Sequence, residues 1–501
     1  MSNPSTPALA KTPFLWRVAI LAGIVLITSS AYALHGTIGP RGQSACGIVC
    51  FIGLVAAFSK NLRAVNLRTI GWGIILQVLL AVAVTQSQWA RDVIDVVGKG
   101  VGVLLDASKE GGKFVFGPLA DNGSPPPPST DPAGGLGGGP AEYLAQQELQ
   151  KDMKAKPYGY GRPFVFAFVA LPPIIFVSAF FSLLYYFGIL QFFVRIMARV
   201  MQFFMRTSGA ETLSVAANVF MGQTEAPLIV KPFVPKMTQS ELLALMASGM
   251  AHISGGMMAV YISYTKDYFG DQGGAAAIIT TCVMACPCSL YLSKLLLPET
   301  EIPETLGSAK IVVEKKHVNP IDAVAAGTTE GLKLALNVAA MLIAFLALVY
   351  LLNSILGGIK PVLLDVGGTP EGLDWWPDHL TLQHLLGWVF RPVAFLIGVQ
   401  PDECGQVGGL LGIKLVANEH VAFVTMTKDP SYSGLSVRSK TLAVYALTGF
   451  ANFASVGIQL GGIGAMAEGR RADLARLGMK ALFVGFVATL VNAAVAGLLL
   501  P

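Results

Sequence analysis

Two carboxylates in apolar surroundings are the residues most able to do chemistry. Glu225 sits in Asn218-Val219-Phe220-Met221-Gly222-Gln223-Thr224-Glu225-Ala226-Pro227, and Glu419 in Asn418-Glu419-His420. A carboxylate at membrane depth costs at least a few kcal/mol and persists only with partners, which makes each a functional candidate. The competing reading is a helix-end cap near the headgroups. Asn452 and Ser455, in Phe450-Ala451-Asn452-Phe453-Ala454-Ser455, are three apart and so are expected on one helix face, aimed at a cavity or at a neighbouring helix. Acids, amides and hydroxyls with an aromatic ring, and no basic cluster among them, suit a neutral ligand rich in hydroxyls. A phosphate or carboxylate ligand would call for Arg or Lys. There is no Walker loop, Gly-x-Ser-x-Gly elbow or His-Glu-x-x-His, so neither ATP hydrolysis nor a hydrolase is encoded, and uphill movement must draw on an ion gradient.

The elements that must position these groups are membrane helices. Of 501 residues, 53% are hydrophobic and only 13% charged, about half the charge of a soluble domain. This predicts an all-α integral membrane protein. The net charge of +5 is a small surplus of 35 basic over 30 acidic residues and gives no reason to expect nucleic acid as a partner. Six cysteines make no disulfide framework; Cys46/Cys50 and Cys282/Cys286/Cys288 read as small packing residues.

Apolar runs near 16–34, 42–59, 69–86, 163–187, 239–264, 274–297, 333–358, 441–465 and 474–499 give about nine crossings. The first also resembles a secretory signal, with Lys11 and Arg17 ahead of a stretch ending Ala31-Tyr32-Ala33, and a retained anchor is preferred. Basic loops around Lys60/Arg63/Arg68, Arg195/Arg199/Arg206, Lys310/Lys315/Lys316 and Arg470/Arg471/Arg476 fall on one side if the N-terminus is cytoplasmic, which puts the C-terminus outside. Pro125 to Pro128 and the Gly134 to Gly139 region mark a solvated linker over 118–162. The stretches 211–236 and 400–428 are too short or too broken to span, and are expected as re-entrant hairpins of opposite sense. Opposed broken segments in two halves point to an inverted-repeat transporter with a site at the bilayer midplane. The expected parts are an N-terminal extension 1–41, scaffold helices 42–117, the linker 118–162, a first half 163–332 and a second half 333–501.

At these residues the chain resembles the concentrative nucleoside transporter family, in its bacterial sodium-coupled branch. The resemblance is carried by Gly-Gln-Thr-Glu-Ala-Pro-Leu at 222–228, Lys236-Met237-Thr238-Gln239-Ser240-Glu241-Leu242, Asn66-Leu67-Arg68-Thr69, Phe114-Val115-Phe116-Gly117, Leu184-Tyr185-Tyr186, Ala339 to Phe345, Asn418-Glu419 and Gly449-Phe450-Ala451-Asn452, in order from about Ser44 onward. It implies a homotrimer whose protomers move substrate by an elevator-like shift of a transport part against a scaffold. It assigns nucleobase contacts to Gly222, Gln223, Thr224 and Glu225, with Met257 packing on the base, and ribose contacts to Glu419, Asn452 and Ser455, with Phe450 lining the pocket. It places a sodium ion among Asn218, the Met221 carbonyl, Thr224, residue 252 and the Ile253 carbonyl. Residue 252 is histidine where the family has a hydroxyl, so a proton is an alternative coupling ion, since imidazole titrates near pH 6.5 when unperturbed. His420 replaces a family Phe and is read as a ring that fills the same space.

The expected function is a sodium-coupled, alternatively proton-coupled, importer of nucleosides in a bacterial inner membrane. It is not expected to be an enzyme, and no cofactor is expected beyond the coupling ion. The alternatives are a proton-driven nucleoside or nucleobase carrier and a nucleoside receptor that transports nothing.

Overall fold

The structure, a computed structural model, describes residues 11–86, 88–116, 168, 171–269, 274–306, 318–367 and 380–500. The linker 118–162, His317, His379 and the lysines at 310, 315 and 316 lie outside the described residues. Among those described, the regular elements are all helical. They are α1 (Phe14–Ala33), α2 (His35–Ala57), α3 (Leu67–Gln86), α4 (Gln88–Phe116), α5 (Leu171–Tyr186), α6 (Ile189–Met205), α7 (Gly209–Ala217), α8 (Gln239–Ala251), α9 (Gly255–Phe269), α10 (Gly274–Leu296), α11 (Pro320–Gly367), α12 (Leu382–Leu396), α13 (Cys404–Val416), α14 (Glu419–Lys428), α15 (Val437–Leu447), α16 (Phe453–Met466) and α17 (Arg471–Leu499), with short 3-10 turns between some of them.

Among the described residues, six stretches of helix are long and apolar enough to cross a membrane, or seven if α5 and α6, bent by 73° at Phe187-Gly188, count as one. Six of the nine expected runs are these stretches, and the other three fall in the bent α5–α6 pair, in α11 and across α15–α16. The run predicted at 441–465 is two helices, because α15 stops at Leu447 and α16 starts only after Asn452. The run at 333–358 lies within the longer α11. The run at 239–264 still counts as one of the six, although extended His252 and the residues up to Ser254 separate α8 from α9. Hydropathy registers apolar length but not a reversal of backbone dihedrals, so it joins such pieces into one span.

The breaks are written in capping chemistry. Ser208 with Glu211 and Thr238 with Glu241 form capping boxes that start α7 and α8. The Asn418 side chain accepts from Val421 N–H to start α14, and the Asn452 side chain accepts from Ser455 N–H to start α16. Gly449, at φ 151°, turns the chain between α15 and α16 in a conformation that L side chains rarely adopt. The two hairpins sit where expected. The first is α7 with the 3-10 turns through Lys236; the second is α13 and α14, joined through Ala417-Asn418.

Helices apolar all round go to the centre. Every residue of α8 from Ser240 to Ala251 is buried, and α10 and α17 are buried over most of their length. α1, α6 and α11 instead expose large apolar side chains such as Phe14, Phe203 and Ile343, as surfaces facing lipid or a second subunit do. Each hairpin therefore abuts a broken helix and a long buried one: α7 meets α8 and α10, and α13 meets α15 with α17 against it.

Candidate functional site

The two helix breaks meet at the centre of the molecule. Phe450 N–H donates to the His252 carbonyl over 3.0 Å, so the unwound segment of each half is held by the other. Gly449 makes this approach possible, since a Cβ there would lie 3.0 Å from the Ala251 carbonyl oxygen.

Around this crossing a continuous polar chain joins the two hairpins. Glu419, buried at the start of α14, accepts from Tyr261 O–H on α9 at 3.1 Å and from Asn452 Nδ2 at 2.8 Å. Asn452 Oδ1 accepts from Ser455 N–H at 2.9 Å. Gln223 Nε2, at the tip of the first hairpin, donates to Ser455 Oγ at 3.2 Å, and Gln459 Nε2 donates to Gln223 Oε1 at 3.2 Å. Asn452 and Ser455 therefore cooperate as cap and capped residue rather than as neighbours on one face of a continuous helix. Asn452 lies in the break, and its amide remains available to Glu419.

Glu225 stands on another side of the same tip. Its carboxylate accepts from Gly222 N–H at 3.2 Å, and with Met221 and Ser254 it lines a cleft closed opposite by Ser178, Ser182 and Glu330 of α5 and α11. Glu225 and Glu419 thus have different partners on the two sides of the site. The methyl of Thr224 packs at Gly462 of α16, Met257 is buried in α9, and Phe450 is half-buried against the core.

The cation candidates divide. Asn218 Nδ2 donates to the Ser214 carbonyl at 3.1 Å and to Ser248 Oγ at 2.9 Å. Its Oδ1, and Ser214 Oγ one turn earlier, are buried oxygens with no hydrogen-bond partner. Orphaned buried oxygens at a hairpin tip fit a hard cation, which takes oxygen ligands. His252 is differently placed from the expectation. Its Nδ1 donates to the Ser248 carbonyl at 2.7 Å and its Nε2 lies 3.3 Å from Cys286 Sγ on α10, so both ring nitrogens have a partner within the protein. Met221 and Ile253 lie in the adjoining turns. His420 packs as a ring between Tyr261 and Tyr264, with centroids 5.8 and 5.6 Å away.

Four contributors escape the sequence reading. Gln459 is four residues past Ser455 and so shares its helix face, a legible signal. Tyr261 has no local signal. Cys286, in an apolar run, carries no signal in the sequence beyond packing, yet its Sγ meets His252 Nε2. Lys414, inside the second hairpin, is fully buried, and a lone lysine five residues before Glu419 is its signal in the sequence.

Comparison with known proteins agrees with this architecture. Residues 46–119 and 277–497 match the N-terminal and C-terminal families of the Na+ dependent nucleoside transporter, and 167–268 match the nucleoside-recognition Gate family. A transporter of Haemophilus influenzae is 37% identical over 466 residues, covering 91% of this chain and 97% of its own. The sodium/nucleoside cotransporter 1 of Mus musculus is 36% identical over 91% of this chain, which spans 63% of the mouse protein. CNTnw in an inward-facing substrate-bound state superposes with a TM-score of 0.76 at 34% identity, covering 92% of this chain and 98% of its own, and CNTnw in an outward-facing state gives 0.75. With its all-helical fold, opposed hairpins and polar chain between broken helices, the protein is a membrane transporter rather than an enzyme, and it belongs to the concentrative, Na+-dependent nucleoside transporter family.

Proposed function

We propose that this protein is a sodium-coupled symporter that imports nucleosides across a bacterial inner membrane. The carrying observation is the buried chain Glu419–Asn452–Ser455–Gln223, which links both hairpins through groups able to exchange their mutual hydrogen bonds for those of a ligand. Glu419, Asn452 and Ser455 are suited to ribose hydroxyls, since an ionised carboxylate accepts from two donors at once. Gly222, Gln223, Thr224 and Glu225 supply the amide and acid groups that read a base edge, with Met257 and Phe450 as apolar walls. Sodium is placed at Asn218 with the Met221 and Ile253 carbonyls and Thr224, favoured over a proton by the orphaned Asn218 and Ser214 oxygens and by the engagement of both His252 nitrogens.

Movement follows from the packing. The hairpins and broken helices form a transport part, and α5 with α11, across the cleft from Glu225, belong to a scaffold that also carries the exposed apolar faces through which protomers form a homotrimer. An elevator shift between these parts is supported by one relative, CNTnw, captured inward-facing and, as a variant, outward-facing. The N-terminus is assigned to the cytoplasm and the C-terminus to the outside, with 42–117 in the scaffold, 163–332 and 333–501 as the two halves, and 1–41 and 118–162 as additions.

The test is uptake of radiolabelled uridine and adenosine into proteoliposomes under an imposed sodium or proton gradient, in the native protein and in His252→Ser. Sodium-driven accumulation in both is expected. Proton-driven uptake that turns sodium-driven in His252→Ser would make the histidine the coupling group, and binding without uptake under either gradient would favour a receptor.

A further inference from the structure

The two halves run in the same order, hairpin, broken helix, long buried helix, yet their hairpins treat positive charge differently. In the first, the residue four before the tip asparagine is Ser214, and Ser214 Oγ and Asn218 Oδ1 are left without partners. In the second, the residue four before Asn418 is Lys414. Asn418 Oδ1 is already taken by Val421 N–H at 2.8 Å.

Lys414 is 0% exposed. Its Nζ donates to the Ala446 carbonyl at 2.7 Å and to Thr489 Oγ1 at 2.9 Å, and stands 5.4 Å from the centroid of the Phe486 ring. The Ala446 carbonyl has a particular origin. In an unbroken helix its partner would be Phe450 N–H, but that donor crosses to His252. The helix break thus frees a carbonyl at the negative end of α15, and the ammonium fills it. A carbonyl at a helix C-terminus, a hydroxyl on the long buried helix and an aromatic face together make a site for a monovalent cation. Here the cation is attached to the chain. Lys414 and Glu419 are both buried in the second hairpin, five residues apart.

We propose that the Lys414 ammonium is a tethered cation at the second hairpin, standing where an exchangeable ion would stand in the first, so that Glu419 stays charge-balanced through the whole cycle and only one cation moves per nucleoside. The inference rests on the cation-coupled reading above. An ion that dissociates on the inside would leave Glu419 without a counter-charge during the return of the empty carrier. A lysine cannot leave, so the second half contributes binding charge and no transported charge.

The experiment compares native protein with Lys414→Met and Lys414→Arg in proteoliposomes, reading the sodium dependence of uridine uptake and the ratio of sodium to uridine flux. Native protein and Lys414→Arg should take up one sodium per uridine. Lys414→Met should lose uridine affinity by about thirtyfold or more, the scale for loss of one partner of a buried charge pair, and high sodium should restore it with a steeper dependence. A Lys414→Met protein with unchanged affinity and stoichiometry overturns the proposal, as does a loss that sodium does not restore and Lys414→Arg shares. If Lys414→Met does not fold, the double variant Lys414→Met/Glu419→Gln decides: recovery of Tm on removing both charges supports the pairing, and no recovery overturns it. Cation-independent uptake by native protein would sink the coupling reading instead, and the Tm comparison of single and double variants still decides whether the two charges are paired.

Discussion

At the scale of single residues, function concentrates in groups whose hydrogen bonds are mutual and therefore exchangeable. Glu419 receives Tyr261 and Asn452, one on each oxygen, and a carboxylate retains further acceptor sites for the hydroxyls of a ligand. Glu419→Gln keeps the shape but replaces an acceptor-only group with one that must also donate, against an Asn452 amide and a Tyr261 hydroxyl that themselves donate. Uridine uptake should fall at least about 100-fold, since hydrogen bonds to a charged group contribute about 1.5–3 kcal/mol each and more than one is lost; uptake within a few-fold of native would remove Glu419 from the site. Tyr261→Phe removes one donor and leaves the carboxylate. The expected result is an affinity loss of about tenfold by equilibrium binding, with an unchanged preference among nucleosides. Of these two residues, Glu419 was legible as an acid in an apolar stretch. Tyr261 was not, because a tyrosine in an apolar helix looks the same whether its hydroxyl meets lipid headgroups or a buried acid 158 positions away.

At the scale of elements, the decisive features are the two breaks and what lies against them. Gly249 on α8 faces the tip of the first hairpin so closely that a Cβ there would lie 2.9 Å from Gln223 Cβ and 2.7 Å from Gln459 Nε2. Gly249→Ala should therefore displace Gln223, raising the KM for uridine severalfold in transport assays while the protein remains folded. Gly461→Ala on α16, with nothing within 4 Å of the added methyl, serves as the control and should transport normally. Equal behaviour of the two variants would mean that the Gln223 contact has no part in binding. The hairpins were legible from sequence because each combines an acid, a helix breaker and insufficient apolar length. The break in α8–α9 is implied at residues 252 and 253 by the family resemblance alone, and the break in α15–α16 was not legible, since the surrounding residues are apolar enough to read as a continuous span; only the capping bond of Asn452 and the turn at Gly449 reveal it.

At the scale of the whole molecule, the polar chain is shared between halves that are far apart in sequence, so the site exists only when both halves are assembled. The linker carries none of the groups that build it. Deletion of 124–139 should leave the uptake rate within about twofold of native, because a Pro/Gly-rich connector costs little in entropy to shorten; loss of uptake in correctly inserted protein would show that the linker has a transport role. The composition of the chain determined that it is a helical membrane protein. The ordered motifs determined its family, and the two acids in broken segments located the site to within a few residues. Tertiary structure alone decided which groups face one another: that His252 spends both nitrogens on Ser248 and Cys286, that Phe450 N–H crosses to the other half, and that Lys414 closes the carbonyl this leaves behind. The reason is that spacing along a chain fixes neighbours within one helix, over three or four residues, whereas these contacts are made between helices, where packing sets the partner and no local pattern encodes it.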